Sequence, residues 1–497
     1  MAIGVAVRPA ERTHIITSGS ATKRAASDHL YESLREVLEK SVWDDVLLNE
    51  ADPGGSLVNR LPQELFDYLI HFLPLFHHAK QRVHFITYVK GLLSYAPRKF
   101  VGRFATTIGN ESSVRMMQSF MCAAKWDDAA LQGAYQELAA KVLSEPDGMF
   151  TLGVFDVIRK GNQSVGVARQ FCTRTGKTEN CQTGIVLGYT STQNGHGLID
   201  AELFLPKKWF SDEYEPFREK CGIPPLVSKS KAEIANCLLN RMYEQGKFKG
   251  RWVGVGQEFS SDTRFLDSIP YGLSYFADVG EECMVFPVKA GGGVAEKAVS
   301  VRSLAGDASI PWHSVCYGMG SDKMPLISKE KVMHVYEMRQ RKPGRMLWLY
   351  IREDARTNYA LCNASTAEPL ATIRTLASRR WSFAPCFEWE TSALGLDQYV
   401  GRSWTGWHRH TLMVFIAHLF LTAIKRKGLR STLPLSDSSE YQHGRRVNYC
   451  RNVPEHGDHF TLCNMKDTGR AEPIVCALCG TWPSPVKGAA EHATKLA

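Results

Sequence analysis

The chain predicts an α+β fold, a mixed sheet flanked by helices, with a helical N-terminal domain ahead of it and a β-rich stretch inserted before the last helices. Three observations carry this expectation. Apolar residues keep a helical period up to about residue 145, the period changes to strand-like after Pro146, and a helix then separates the first strands from a further buried strand. Residues 1–27 hold Ser, Thr, Ala and basic residues without apolar periodicity and read as a flexible tail. From 28 to 145 the reading is helical: Asp28 can cap DHLYESLREVLEKSV, Leu65, Leu69, Phe72 and Phe76 share a helical spacing, and Asp127 opens DDAALQGAYQELAAKVL. The basic and aromatic segment 78–104 is that domain's candidate DNA face, or equally an amphipathic helix with a solvated Lys/Arg side.

After Pro146, residues 151–156 (TLGVFD), 164–171 (SVGVARQF) and 183–190 (TGIVLGYT) read as strands divided by turn material, with a fourth run at 198–205. Residues 229–245 read as a helix and 251–255 (RWVGV) as a buried strand. A helix-mediated crossover of this kind is what a parallel neighbour requires. Residues 266–375 alternate short strands and turns, with 348–354 and 358–365 as a pair. Residues 376–427 return to helix, and 428–497 form a polar, Cys/His-bearing module or tail.

With 497 residues, 44% hydrophobic and 22% charged, the chain has the composition of a soluble globular protein of several domains rather than a disordered one. Its net charge of +9 suits a polyanion partner without requiring one. The 13 cysteines show no repeated spacing through most of the chain, and no signal-like segment opens it, so a reducing cytosol is expected. The longest apolar run, Thr411 to Ile424, is shorter than the ~20 residues of a membrane span and reads as a buried helix.

Three blocks, SVGVARQFCTRTGKTENCQ (164–182), WVGVGQEFSSDTRFLD (252–267) and GLDQYVGRSWTGWHRH (395–410), stand in an order that strongly resembles bacterial insertion-sequence transposases of the DDE, RNase-H-like superfamily. The resemblance covers roughly residues 60–427. It implies an RNase-H-like core at 146–265 and 376–427, split by a β-rich insertion at 266–375, and a DNA-binding role for the helical domain at 28–145. It further implies DNA, especially element ends, as partner, Mg²⁺ or Mn²⁺ as cofactor if the chain is active, a nucleoid-associated place in the bacterial cytosol, and room for a homodimer on DNA.

Two-metal strand transfer needs carboxylates from distant segments to hold two hard cations ~3.5–4 Å apart. The resemblance places one at the end of the first strand, one after RWVGV and one on a late helix. The first strand ends in Asp156, a candidate retained ligand, but a different placement of the short following loop puts the ligand position on Gly153 or Val154. Gly256 stands at the second position, with Glu258 two residues on as a rescue candidate. Ala384 stands at the third, with Glu388 one helical turn later as another, and Thr391 replaces the Lys of the family's helix signature. Two of three ligand positions are thus replaced, and catalysis by the family's mechanism is not expected.

What remains around the late helices is a basic and aromatic series: Arg379, Arg380, Arg402, Trp404, Trp407, His408, Arg409, His410, Lys425, Arg426 and Lys427. The resemblance makes it a candidate phosphate-binding cluster, while each Trp fits a core role at least as well as base stacking. In the tail, Cys450, Cys463, Cys476 and Cys479, with His456 and His459 nearby, could hold a structural zinc; Cys476 and Cys479 have ligand-pair spacing, and the rest lack the tight knuckle. The functional expectation is a transposase-family DNA-binding protein with an impaired or inactive site. The alternatives are a transposase scaffold repurposed as a non-catalytic regulator or interaction protein, and an enzyme with new chemistry in the old cleft through Asp156, Glu258, Cys386 or Glu388.

Overall fold

The computed structural model describes residues 60–431 and 475–476, except 95, 97, 109–111, 193–194, 226, 290, 320–324 and 355; residues 105–108, 112–113, 317–319, 325–326, 384–386, 388–390, 392, 427–431 and 475–476 are described by backbone alone. The helix expected from Asp28 and most of the candidate zinc residues fall outside it. Residues up to 131 and from 132 onward form two compact units.

In the first unit, α1 (Leu61–Leu69) begins with Pro62 in its first turn, where a missing N–H costs nothing. Pro74 then confines Leu73–Leu75 to a single 3₁₀ turn, so Phe72 and Phe76 leave the helical register expected for them and still reach the core. With α2 (Ala79–Leu92), α3 (Val101–Ile108) and α4 (Ser112–Cys122) they enclose an aromatic core in which Phe76 lies 4.9 Å from Phe85 and 4.5 Å from Trp126. Lys90 and Lys99 of the basic segment are buried there, and Lys99 Nζ donates to the Ser94 carbonyl. Lys80, Arg98 and Arg103 are exposed.

Helix α5 (Asp128–Leu143) starts where Asp127 was expected to open it; the Asp127 carboxylate accepts from Ala130 N at 2.9 Å. After it come β1 (Met149–Ile158), β2 (Ala168–Cys172), β3 (Lys177–Thr190) and β4 (His196–Phe204) as an antiparallel set. Strand β2 is shorter than the run 164–171 because Gly166 adopts φ +73°, a left-handed turn that breaks the extended backbone. Helix α6 (Glu215–Cys221) leads to α7 (Lys231–Gln245), opened by a capping box in which Ser230 and Glu233 exchange hydrogen bonds with each other's backbone. Helix α7 delivers β5 (Trp252–Val255), which lies parallel to β1 with Leu152 opposite Val255.

Short helices α8 (Gln257–Ser260) and α9 (Thr263–Asp267) follow, then β6 (Ser274–Val279), β7 (Met284–Pro287), β8 (Val299–Ser300), α10 (Val301–Gly306), β9 (His313–Met319), β10 (Pro325–Arg339), β11 (Lys342–Glu353) and β12 (Thr357–Cys362). The expected pairing of 348–354 with 358–365 is present as β11–β12, with Trp348 opposite Cys362. Helices α11 (Leu370–Ala393) and α12 (Trp404–Ser431) and the short β13 (Val475–Cys476) complete the described chain.

The strands join in one mixed sheet, ordered β13-β9-β10-β11-β12-β6-β5-β1-β3-β2, with β4 also on β3 and β7 on β10. The β-rich segment therefore continues the core sheet: β12 pairs with β6, and β6 lies parallel to β5. Helix α11 covers the middle of this sheet, burying Ile373, Leu376 and Ala377 against Met149, Trp252, Phe276 and Trp348. Among the described residues no helix is long and apolar enough to cross a membrane.

Candidate active site at the centre of the sheet

Strand alternation decides which β1 residues face α11. Phe155 meets Phe387 of α11 and stacks on Trp407 of α12, and a Cβ added to Gly153 would lie 3.8 Å from the Phe383 ring. Positions 153 and 155 thus look toward α11, and the unbroken register with β3 turns Asp156 to the opposite face. There Asp156 is buried: Thr173 donates to Oδ2 through its backbone N at 2.6 Å and its hydroxyl at 2.7 Å, and the Thr183 hydroxyl donates to Oδ1 at 2.5 Å. This carboxylate pins the turn after β2 to the sheet. It lies on the face of the sheet away from α11, whereas Gly153 faces that helix. Asp156→Ala is accordingly expected to cost about 1–3 kcal/mol of stability, from donors left buried without a partner, measured by urea unfolding.

At the second corner, Gly256 follows β5 and caps α8, beside Gly153 by the β1–β5 register. A Cβ on Gly256 would lie 2.4 Å from Oε2 of Glu258, so the Glu258 side chain folds back into the space that a residue-256 side chain would fill. Crowding by the protein raises the Glu258 pKa, and the Asp278 carboxylate adds to that, while Arg380 opposes it; one side of Glu258 stays open to solvent.

Asp278, which the sequence reading did not single out, occupies the neighbouring position on β6, because Ala277 pairs with Val255. Its Oδ2 lies 2.6 Å from Arg380 Nη2, and its Oδ1 accepts from Trp381 Nε1 at 2.9 Å. Burial raises its pKa against the pull of Arg380. An acid within the apolar run SYFADV was the signal available in the sequence.

The third corner lies on α11, which carries Ala384 and Glu388 one turn apart. Phe383, just before Ala384, is buried so tightly on the sheet that a Cβ at Gly188 would come within 2.2 Å of its ring. Thr391 Oγ1 donates to the Phe387 carbonyl within the same helix.

None of Gly153, Gly256 and Ala384 carries a side-chain oxygen donor. Both oxygens of Asp278 are engaged, Asp156 faces away, and among the described residues no group of three His, Cys, Asp or Glu could hold a metal ion. The described residues do not fit a divalent pair.

The basic and aromatic series is mostly interior, a correction to its reading as a phosphate-binding surface. Arg379 is buried, its guanidinium donating to the Asp147 carbonyl and, at 2.5 Å, to Thr192 Oγ1, with Glu145 at 3.6 Å. Arg380 is committed to Asp278. Arg409 is buried, Trp407 is packed on Phe155, and His410 Nε2 donates to the Gly395 carbonyl at 2.9 Å. His408 bonds the Trp404 carbonyl and lies 3.6 Å from Glu202, and its ring centroid is 4.4 Å from that of Trp404. Arg426 donates to the Val142 carbonyl at 2.7 Å. Lys425 is half-buried, and Lys427 lies in α12. Among the described side chains of the series only Arg402 is exposed. Of the zinc candidates, Cys476 lies in β13 opposite Cys316 of β9, and Cys450, Cys463 and Cys479 lie outside the described residues.

Residues 71–291 match the family model described as DDE superfamily endonuclease. No curated protein matches the chain. The matched region includes β1, the parallel β1–β5 pair and both glycine corners of the site. With a mixed sheet flanked by helices, this chain carries the RNase-H-like fold of DDE-type transposases and nucleases.

Proposed function

We propose that this chain is a transposase-family protein of an insertion sequence that binds DNA but no longer performs metal-dependent strand transfer. The observation that supports the reading best is that Gly153 and Gly256 each directly follow the paired Leu152 and Val255 of the parallel β1–β5 pair, with Phe383, the neighbour of Ala384 on α11, 3.8 Å from a Cβ at Gly153, and none of the three positions carries a carboxylate. Losing a carboxylate from a two-metal site displaces the cation that would compensate the developing charge, and losing all three removes both cations.

The described acids beside the site do not replace them. Asp278 is held by Arg380 and Trp381, and Glu258 stands in the first turn of α8, two residues past Gly256; a catalytic group must be placed to within about 0.5 Å. In the same site the Arg380 guanidinium supplies the positive charge that the carboxylates still present face. The chain then serves its element, or its host, by occupying DNA as a homodimer or as a partner of active copies.

Mn²⁺ titration followed by electron paramagnetic resonance tests this reading. The expected result is no stoichiometric binding to the full chain at concentrations that saturate ordinary two-metal nucleases. Stoichiometric binding that is lost in Glu258→Gln would contradict it.

A further inference from the structure

Among the described residues strand β2 is an edge strand that pairs only with β3, and Phe171 at its end is 59% exposed, an unusual position for a large aromatic side chain. The registers place Ile158, Cys181 and Ala168 in one row, so Arg169 and Phe171 project from the other face of the sheet. That is the face of Gly153, Phe155 and α11. The exposed side of the hairpin thus continues the surface on which the altered site lies.

Arg169 shares this face with Phe171 and is exposed, and Arg174 in the connecting turn is 62% exposed at its side chain although it lies 3.3 Å from Asp397. Lys160 is exposed beside the hairpin, where Asn180 Nδ2 donates to the Gly161 carbonyl, and exposed Arg402 follows through its carbonyl, which accepts from Val165 N at 3.1 Å. The base of the hairpin is fixed from inside by Trp209 Nε1 on the Val167 carbonyl at 3.0 Å and Gln182 Nε2 on the Val165 carbonyl at 2.5 Å. A rigid base therefore carries an exposed aromatic ring on the same face as exposed Arg169.

We propose that this hairpin is a DNA-contacting element, with Arg169 and Arg174 on backbone phosphates and Phe171 stacked on an unpaired base. The inference rests on the DNA-binding reading above and assigns it to residues outside the buried arginine series. A second copy of the chain is the less suitable occupant. An edge-to-edge contact would bring the cations of two short strands together, with Asp397 and the half-buried Glu179 as the nearby acids to offset them. A polyanion meets the same charges favourably, and an exposed ring tolerates any base because every base has a π-face.

The test uses the full chain, fluorescence anisotropy and two labelled probes: a plain duplex and the same duplex with a short unpaired bubble. Affinity is followed between about 50 and 200 mM salt. Arg169→Ala/Arg174→Ala is expected to make the log–log salt slope shallower by about 1.8, about 0.9 per lost phosphate contact. Phe171→Ala is expected to weaken bubble binding on the order of ten-fold and plain-duplex binding much less. Unfolding midpoints equal to that of the parent confirm that the variants are folded. If the parent binds with a clear salt slope and the hairpin variants match it on both probes, the hairpin assignment is wrong while the DNA-binding reading stands. If the parent shows no salt-dependent binding, the DNA-binding reading itself fails. A concentration-dependent dimer abolished by Phe171→Ala, with DNA binding unchanged, would overturn the assignment in favour of a second copy.

Discussion

Replacing Arg380 with Met is expected to cost about 3 kcal/mol of folding stability and to leave the DNA affinity of the folded protein unchanged. The cost follows from the mutual dependence of Arg380 and Asp278. Each is largely out of water, they meet at 2.6 Å, and removing the cation leaves a carboxylate that burial already pushes toward its neutral form. A fifth of the Asp278 side chain is exposed, which holds the estimate at the lower end of the ~3–5 kcal/mol usual for breaking a buried pair. Urea unfolding measures the first quantity, and anisotropy on the same sample measures the second. A phosphate-binding Arg380 would give the opposite pattern, with near-parental stability and a shallower salt slope.

Acidification is expected to remove about 3 kcal/mol of stability between pH 6.5 and pH 4 through His410 alone. Burial, with Arg159 nearby, pushes its pKa down to about 4, against ~6.5 in the unfolded chain. Between those values the unfolded state binds the proton and the folded state does not. The contribution is therefore complete above pH 6.5 and is lost progressively as pH falls toward 4, at about 1.4 kcal/mol per unit. His410→Gln keeps a donor for the Gly395 carbonyl and should flatten that part of the profile. His196, also buried and beside His418 and Lys425, is shifted in the same direction, so acid sensitivity should persist in that variant with a smaller amplitude. A His410→Gln profile that superimposes on the parent's would show that His410 titrates alike in the folded and unfolded chain.

Features of the fold that depend on short-range chemistry were legible in the sequence. The Asp127 cap and the β11–β12 pair are set by residues close in the chain, and the parallel β1–β5 pair followed from an intervening helix whose length fits a crossover. Continuity of the β-rich segment with the core was not legible, because it depends on β6 pairing with β12 across a long stretch of chain.

The site was half legible. Gly256 and Ala384 could be read from fixed spacing to strong blocks, but the first corner stayed open between Asp156 and Gly153 or Val154. A shift of three residues along a strand changes the face, so only the register with β3 separates a caged structural carboxylate from an empty corner. The buried arginines deceived for a related reason. A run such as Arg379-Arg380-Trp381 looks like a surface charge pattern until Asp147, Thr192 and Asp278 arrive from distant elements to absorb its donors. Phe171, by contrast, had a strand-like place in the sequence and gave no sign of the edge that leaves it exposed.

The loss of two-metal chemistry is tested most directly by incubating the full chain with supercoiled DNA carrying candidate element ends in Mg²⁺ or Mn²⁺ and following conversion to the nicked circle. On the proposal that Gly153, Gly256 and Ala384 replace the three ligands, no conversion above the metal-only control is predicted. Metal-dependent nicking that disappears in Asp156→Asn or Glu258→Gln would contradict the account, because it would show that these carboxylates complete a working site.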